Sequence, residues 1–356
     1  MADITVNYQK DVFRGVQELL LASNLKNMLS PGTKVSIKPN MVLAKPPSSG
    51  ATTHAEAVEG LIVFLKDLGL TGIEIIESSW IGDDTKHVYH VCGFDKLKKK
   101  YGVPLIDLKN DQIVKMSAGE YTFEVFRKSI ETDFLINVPV LKAHCQTKMT
   151  CCLKNMKGCI SDREKRRFHS LGLHRPIAFL NKAVKTHFCL VDGICGDLTF
   201  EEGGNPVQRD MLLAGADPLT MDSYCAGLAG YKPDDIEYLR IAHDIGVGQP
   251  FNEGMIIEEL NKSQKPAVRN LSSGGTVRRL AGHINESQAC SPCYAALIHA
   301  IHHERPPKEK ISIGQGFRGK KGKLGCGNCT SGFEKYIPGC PPKAVDVAEF
   351  IRVQGR

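Results

Sequence analysis

Residues 35–77 read as one strand–helix–strand unit, and that unit fixes the class of fold. Val35-Ser36-Ile37-Lys38 is a short strand-forming run, stopped by Pro39-Asn40. Lys45 to Gly50 is a loop rich in Pro and Ser. Thr53-x-x-Glu56 then predicts a capping box opening a helix, with Val58, Leu61, Ile62, Leu65 and Leu68 on its buried side. Gly69 stops that helix, and Ile73 to Glu77 forms the next strand. Strands joined through a helical crossover run parallel. The unit therefore predicts a three-layer α/β domain, a largely parallel sheet covered by helices.

The same alternation continues along the chain. Val12, Val16, Leu19 and Leu20 share a helical face, and Val103–Leu108, Phe134–Leu141, Phe188–Val191 and Met211–Ala214 read as further strands. No internal repeat is visible. Near Asn270 the character changes: Leu271-Ser272-Ser273-Gly274-Gly275 resembles a linker, and a small module rich in Cys, Pro, Gly and Lys follows. The expected division is residues 1–270 for the α/β domain and 271–356 for the module.

The chain has 356 residues, enough for both parts, and lacks an apolar run long enough to span a membrane. Met1-Ala2-Asp3-Ile4 has neither the basic nor the apolar region of a secretory signal, so a cytoplasmic location is expected. In a reducing compartment the 13 cysteines are free thiols or metal thiolates. The net charge of +7 is modest. The basic runs at Lys96–Lys100, Arg163–Arg167 and Arg318–Lys323 lack the aromatic or groove-reading features of nucleic-acid binding. They remain compatible with a small anionic molecule.

The cysteine module carries the clearest chemistry. Cys290-Ser291-Pro292-Cys293 precedes a helix-forming run, where backbone N–H groups favour thiolates. Cys326-Gly327-Asn328-Cys329 and Gly339-Cys340-Pro341-Pro342 follow. A cysteine followed by proline recurs where chains bind iron–sulfur clusters. Five cysteines thus compete for four places on a 4Fe-4S cluster, and Cys290, Cys293, Cys329 and Cys340 are the expected ligands. A zinc ribbon on Cys290, Cys293, Cys326 and Cys329 is the alternative, but it leaves Cys340 and its prolines unexplained.

A second constellation lies where strands should end, the usual place for ligands in an open parallel sheet. Lys38 and Asn40 close the first strand, Lys142-Ala143-His144 follows the run from Phe134, and Asp192-Gly193 follows the strand from Phe188. Thr147, Thr150, Cys151, Lys154 and Asn155 have helical spacing. Lys38, Lys142 and Lys154 could converge on a carboxylate or phosphate, with His144 as proton carrier. The candidate catalytic groups are His144, Lys142 and Asp192. The candidate substrate-binding groups are Lys38, Asn40, Thr147, Lys154 and Asn155. Taken singly, each lysine has an ordinary reading as a solvated strand end. Cys145, Cys151, Cys152 and Cys159 crowd the same region; a second metal site or reactive thiols are open to them, but their spacing matches no ligand rule, and buried, inert thiols are the favoured reading. Gly246-x-Gly248 alone does not make a nucleotide site.

Phe134 to His144, Leu153-Lys154-Asn155-Met156-Lys157-Gly158, Val191-Asp192-Gly193, and Ala216-Asp217-Pro218 with Asp222 resemble the family called domain of unknown function 362. Ile37-Lys38-Pro39-Asn40 and Thr52-Thr53-His54 match it as well, so the resemblance spans most of residues 30–250. It implies an α/β core and a link to iron–sulfur proteins. The cysteine module resembles an extension that some members carry. The vicinal Cys151-Cys152 departs from the apolar or small residues that the resemblance implies there.

Together these features predict an iron–sulfur oxidoreductase acting on a small anionic substrate or cofactor through one-electron chemistry. A non-redox lyase or isomerase would instead use a cluster iron as Lewis acid, and needs only three protein thiolates. An electron carrier or scaffold without substrate would leave the polar groups unused. A ferredoxin-like electron partner fits the first reading, and a homodimer is allowed.

Overall fold

The computed structural model describes residues 2–198, 201–263 and 279–355. The linker-like stretch 271–275 lies outside the described residues. The chain forms two compact units: residues 1–164 with 174–271, and residues 165–173 with 272–356.

The first unit is an α/β fold on a large, largely parallel sheet. Its strands are β1 (Ile4–Tyr8), β2 (Val35–Pro39), β3 (Ile73–Glu77), β4 (Leu105–Asp107), β5 (Ile113–Ala118), β6 (Tyr121–Phe126), β7 (Phe134–Val138), β8 (Lys142–His144), β9 (Lys148–Thr150), β10 (Phe188–Asp197), β11 (Pro206–Gly215) and β12 (Ile257–Glu259). Eight of them form one sheet in the order β12-β1-β11-β10-β7-β2-β3-β4. Pairing is parallel throughout except where β11 lies antiparallel between β1 and β10. The β5–β6 and β8–β9 hairpins stand outside it.

The helices up to residue 244 are α1 (Val12–Ala22), α2 (Leu25–Met28), α3 (Ala55–Asp67), α4 (Thr85–Val91), α5 (Asp95–Tyr101), α6 (Cys152–Asn155), α7 (Asp162–Ser170), α8 (His174–Ala183), α9 (Pro218–Leu228) and α10 (Glu237–Asp244), of which all but most of α7 belong to the first unit. Strand alternation sorts the core into two layers. Val35, Ile37, Ile73, Ile75 and Ile136 join Val16, Leu19, Leu61, Leu65 and Phe94 in one buried cluster. The buried residues Leu135, Cys189, Val191 and Leu213 are not part of that cluster, and their alternate positions turn them to the opposite face.

Several boundaries differ from the sequence reading. Regular pairing of the run from Phe134 ends at Val138, because Pro139 has no amide to continue the ladder, and only a single bridge from Val140 to Asp192 follows. Lys142 therefore sits on a hairpin and not on the long strand. The segment read as helical from Thr147 is first a strand, and the helix starts only at Cys152. Asp192-Gly193 does not lie beyond its strand: β10 runs through it to Asp197. Thr53 does not cap α3, whose N-cap position is His54. The Thr53 hydroxyl instead accepts from Asn40 N at 2.8 Å and donates to the Val138 carbonyl at 2.8 Å, tying two strand ends together. The strand Ile4–Tyr8 and the hairpin Ile113–Phe126 escape the sequence reading, the first because it precedes any crossover signal.

The second unit has a four-stranded parallel sheet, β13 (Ile284–Glu286), β14 (Ile311–Ile313), β15 (Leu324–Cys326) and β16 (Lys335–Ile337). Two helices, Ser291–His303 and Ala344–Gln354, pack on each other. Among the described residues no helix is long and apolar enough to cross a membrane.

Candidate functional site

Within the first unit the polar residues singled out above fall into three buried networks. The first gathers Lys38, Asn40 and Asn155. Lys38 Nζ, fully buried, forms an ion pair with Glu77 at 2.9 Å and donates to Asn155 Oδ1 at 3.3 Å. Asn155 Oδ1 also accepts from Asn40 Nδ2 at 2.8 Å, and its amide donates to Asn137 Oδ1 at 2.7 Å. Gly158 is required beside this pair: a Cβ there would stand 2.1 Å from Glu77 Oε1 and 2.6 Å from Lys38 Nζ. The charge of Lys38 is thus met inside the protein. Asn40 Oδ1 is buried without a hydrogen-bond partner among the described residues.

The second network brings Lys142, His144 and Lys154 around Glu201, a residue that the sequence did not mark. Lys154 Nζ pairs with Glu201 Oε1 at 2.6 Å and donates to Thr150 Oγ1 at 3.2 Å. His144 Nε2 lies 2.8 Å from Glu201 Oε2, close but poorly aligned for a hydrogen bond. Lys142 Nζ donates to the carbonyls of Ala51 at 2.6 Å and Glu201 at 3.0 Å. Backbone amides of Gln146 and Thr147 both donate to His144 Nδ1, at 3.1 and 3.0 Å. Two donors on Nδ1 place the ring proton of the neutral imidazole on Nε2, facing Glu201. The Thr147 hydroxyl donates to the Met149 carbonyl at 3.1 Å and so braces this turn.

Burial sets the charge states here. It pushes His144 down to about 4, so its imidazole is neutral at pH 7. It also lowers Lys142 to about 8, against the pull of Glu201. Burial alone would raise Glu201, but His144 and Lys154 beside it hold it well below the usual carboxylate range. Burial and the neighbouring Glu201 charge lift Glu202 to about 7. The network gathers three basic side chains around one buried carboxylate.

Asp192 belongs to a third network. Its Oδ2 accepts from both His54 N and His54 Nδ1 at 2.8 Å, and Oδ1 accepts from Ile194 N at 3.2 Å. Burial would lower His54, but the Asp192 carboxylate outweighs it and raises the imidazole. A carboxylate-oriented histidine is a standard proton-transfer pair. Neither Glu201 nor His54 has a sequence spacing that would announce it, because each meets its partners only through tertiary packing.

Within the second unit, Cys290, Cys293, Cys326, Cys329 and Cys340 all line one small cavity, with Arg166, Gln315 and Arg318. Gln315 Nε2 lies 3.7 Å from Cys290 Sγ and donates to the Arg166 carbonyl at 3.0 Å. The Cys329 side chain is hydrogen-bonded to Arg318 and raises that guanidinium. Cys326 is buried, which pushes its thiol up to about 12. Burial raises Cys293 as well, and the four neighbouring sulfurs add to it. Gly327 opens toward the cavity: a Cβ there would stand 3.9 Å from Cys293 Sγ.

Comparison with known proteins adds one firm statement. The family model "Domain of unknown function (DUF362)" matches residues 35–227, more than half of the chain. The chain belongs to the DUF362 family. A curated relative, thylakoid-associated protein sll1697 of Synechocystis sp., is 22% identical over 232 residues, covering 62% of this chain and 70% of the relative. Among solved structures, the lactate racemase apoprotein of Thermoanaerobacterium thermosaccharolyticum is similar at a TM-score of 0.43 and 15% identity. That match covers 63% of this chain and 56% of the racemase. A protein of Thermotoga maritima is similar at a TM-score of 0.37 and 13% identity, covering 56% and 53%. These structural likenesses are partial and carry nothing about activity. The DUF362 match runs from β2 to α9, so it encloses all three polar networks and leaves the five-cysteine cavity outside.

Proposed function

We propose that this DUF362 protein is an iron–sulfur oxidoreductase. Its second unit would hold one 4Fe-4S cluster on Cys290, Cys293, Cys329 and Cys340, and its first unit would bind a small anion beside His144. The observation that carries this reading is the convergence of five cysteine side chains from separate chain segments on one cavity. The donor set fits such a group. The sulfurs are soft ligands, Arg318 and Arg166 supply positive charge against thiolates, and Gly327 leaves room for close backbone approach. Five thiols favour four-thiolate ligation over an iron with an open position. When bound, the cluster supplies one-electron transfer.

The rest follows from the first unit's own groups. A small carboxylate or phosphate would compete with the Glu201 carboxylate for Lys154 and His144. The Nε2 proton of neutral His144 faces that position and would be the one donated to substrate. Lys142, held on two carbonyls, would keep a positive field there without an ion pair of its own.

Anaerobic purification tests the reading. The protein should be brown, with about four irons and four acid-labile sulfides per chain, and EPR-active on reduction. Stoichiometric zinc without sulfide at the cysteine cavity would overturn it.

A further inference from the structure

The α/β unit contains a second group of sulfurs, which the proposed cluster does not use. Cys151 and Cys152 stand at the start of α6, Asp222 and Cys225 lie one turn apart on α9, and Cys189 lies on β10. All five residues are fully buried. Cys151 Sγ, Cys152 Sγ and an Asp222 carboxylate oxygen lie within 4.8 Å of one another. Cys225 lies beside Cys151, and Cys189 beside Cys152.

The spacing discriminates between the chemistries open to such a group. The sulfurs of Cys151 and Cys152 are 3.9 Å apart. A disulfide needs about 2.05 Å. Two sulfurs bound at about 2.3 Å to one tetrahedral ion stand roughly 3.8 Å apart. Inert core thiols need neither a shared focus nor a carboxylate, yet here Asp222 is built into the group. Its oxygens accept from Cys152 N at 2.6 Å and Leu153 N at 3.0 Å, which fixes the carboxylate against the two cysteines. Nearby, the terminal guanidinium nitrogens of Arg209 are buried without a hydrogen-bond partner among the described residues. Arg209 is within electrostatic reach of the Cys225 sulfur.

We propose that Cys151, Cys152 and Asp222 hold one thiophilic divalent cation of the zinc class, and that Cys225, beside Cys151, closes on it as the fourth ligand of a tetrahedral site. Ligand spacing supports the ligand set: a vicinal pair at one helix start faces an i,i+3 pair on another helix. Binding releases the three thiol protons to solvent, and the three thiolates and one carboxylate leave the site with a formal charge of about −2. Arg209 offsets part of that charge, and Cys189 positions Cys152. The ligands are inaccessible in the folded unit, so the ion enters as the chain folds.

The test uses the full chain carrying Cys290→Ser, Cys293→Ser, Cys326→Ser, Cys329→Ser and Cys340→Ser, which removes every thiol from the separate cavity in the second unit. It is expressed in cobalt-supplemented medium and desalted. About one cobalt per chain should remain, with intense sulfur-to-cobalt charge-transfer absorption and tetrahedral ligand-field bands. Adding Cys152→Ala, or the volume-preserving Cys225→Ser, should reduce retained cobalt at least tenfold and bleach those bands, while circular dichroism reports that the fold persists. Cys195→Ala, a buried thiol outside the group, should retain the ion. Absence of cobalt and zinc from the parent chain would overturn the proposal. So would unchanged metal content and spectrum in folded Cys152→Ala and Cys225→Ser. Because iron plays no part in this measurement, its outcome is independent of the cluster reading.

Discussion

At the scale of single residues, the first unit is unusual for the charge it buries. Removing ionised groups from water costs several kcal/mol each unless partners replace the solvent. Lys38 has Glu77, Lys154 has Glu201, and Asp192 has His54. His144 is handled differently, by being kept neutral, and this has a measurable consequence. Its folded-state pKa is about 4, whereas an unhindered imidazole titrates near 6.5. Between those values the unfolded chain binds a proton that the folded chain refuses. Stability is therefore complete above about pH 6.5 and declines as pH falls toward 4, by at most about 3 kcal/mol. Glu201 adds a loss of the same sign at lower pH, because its depressed carboxyl must be protonated there. His144→Asn should flatten the decline between pH 6.5 and 4, since Asn can still accept the amides of Gln146 and Thr147 but does not titrate. Urea midpoints at half-unit pH steps measure this. An unchanged slope in the variant would show that another group controls it.

At the scale of elements, the sequence was most legible where periodicity and punctuation agree. The crossover from β2 through α3 to β3 is read correctly because apolar spacing, Gly69 and β-branched runs all point the same way. It fails around 139–155, where Pro139 breaks the regular ladder and the chain makes a hairpin before a single helical turn. Thr147 to Asn155 has helical spacing, yet tertiary hydrogen bonds to His144 and Asp222 decide its path. The polar candidates were visible as residues but not as networks: Lys38 and Lys154 enter different clusters, and the Glu201 that separates their roles lies far along the chain.

The cysteine elements raise a choice that local geometry informs. Cys329 sits on a 3-10 turn at the cavity with the Arg318 guanidinium beside it, a cation placed against the ligand charge a cluster brings. Cys326 ends β15, buried, and burial favours its protonated form. Cys329→Ala should therefore abolish iron binding. Cys326→Ala should retain most of the iron and lose roughly 1 kcal/mol of stability through packing. Iron and sulfide counts on the two variants decide between them. Iron lost from Cys326→Ala and kept by Cys329→Ala would exchange the two assignments.

At the scale of the whole molecule, the two units differ in what can stabilise them. The first has an eight-stranded sheet with apolar layers on its faces, a core large enough to stand without a metal in the cysteine cavity. Among the described residues the second has four strands of three residues each, two helices of its own and most of α7, with a correspondingly small set of buried apolar side chains. Modules of that size commonly depend on a metal, whose binding energy becomes folding energy. A chain of this kind need not unfold in one step. Calorimetry on anaerobically loaded protein should resolve two transitions. The Cys290→Ser, Cys293→Ser variant should lower only one of them, because those two side chains line the cavity of the second unit alone. At a few °C per kcal/mol, losing several kcal/mol of ligation energy would shift that transition by roughly 10 °C or more. The larger transition should hold to within a few degrees. If both transitions fall together in the variant, the stability of the α/β unit depends on ligation at the cysteines, and the division of labour argued from core size is wrong.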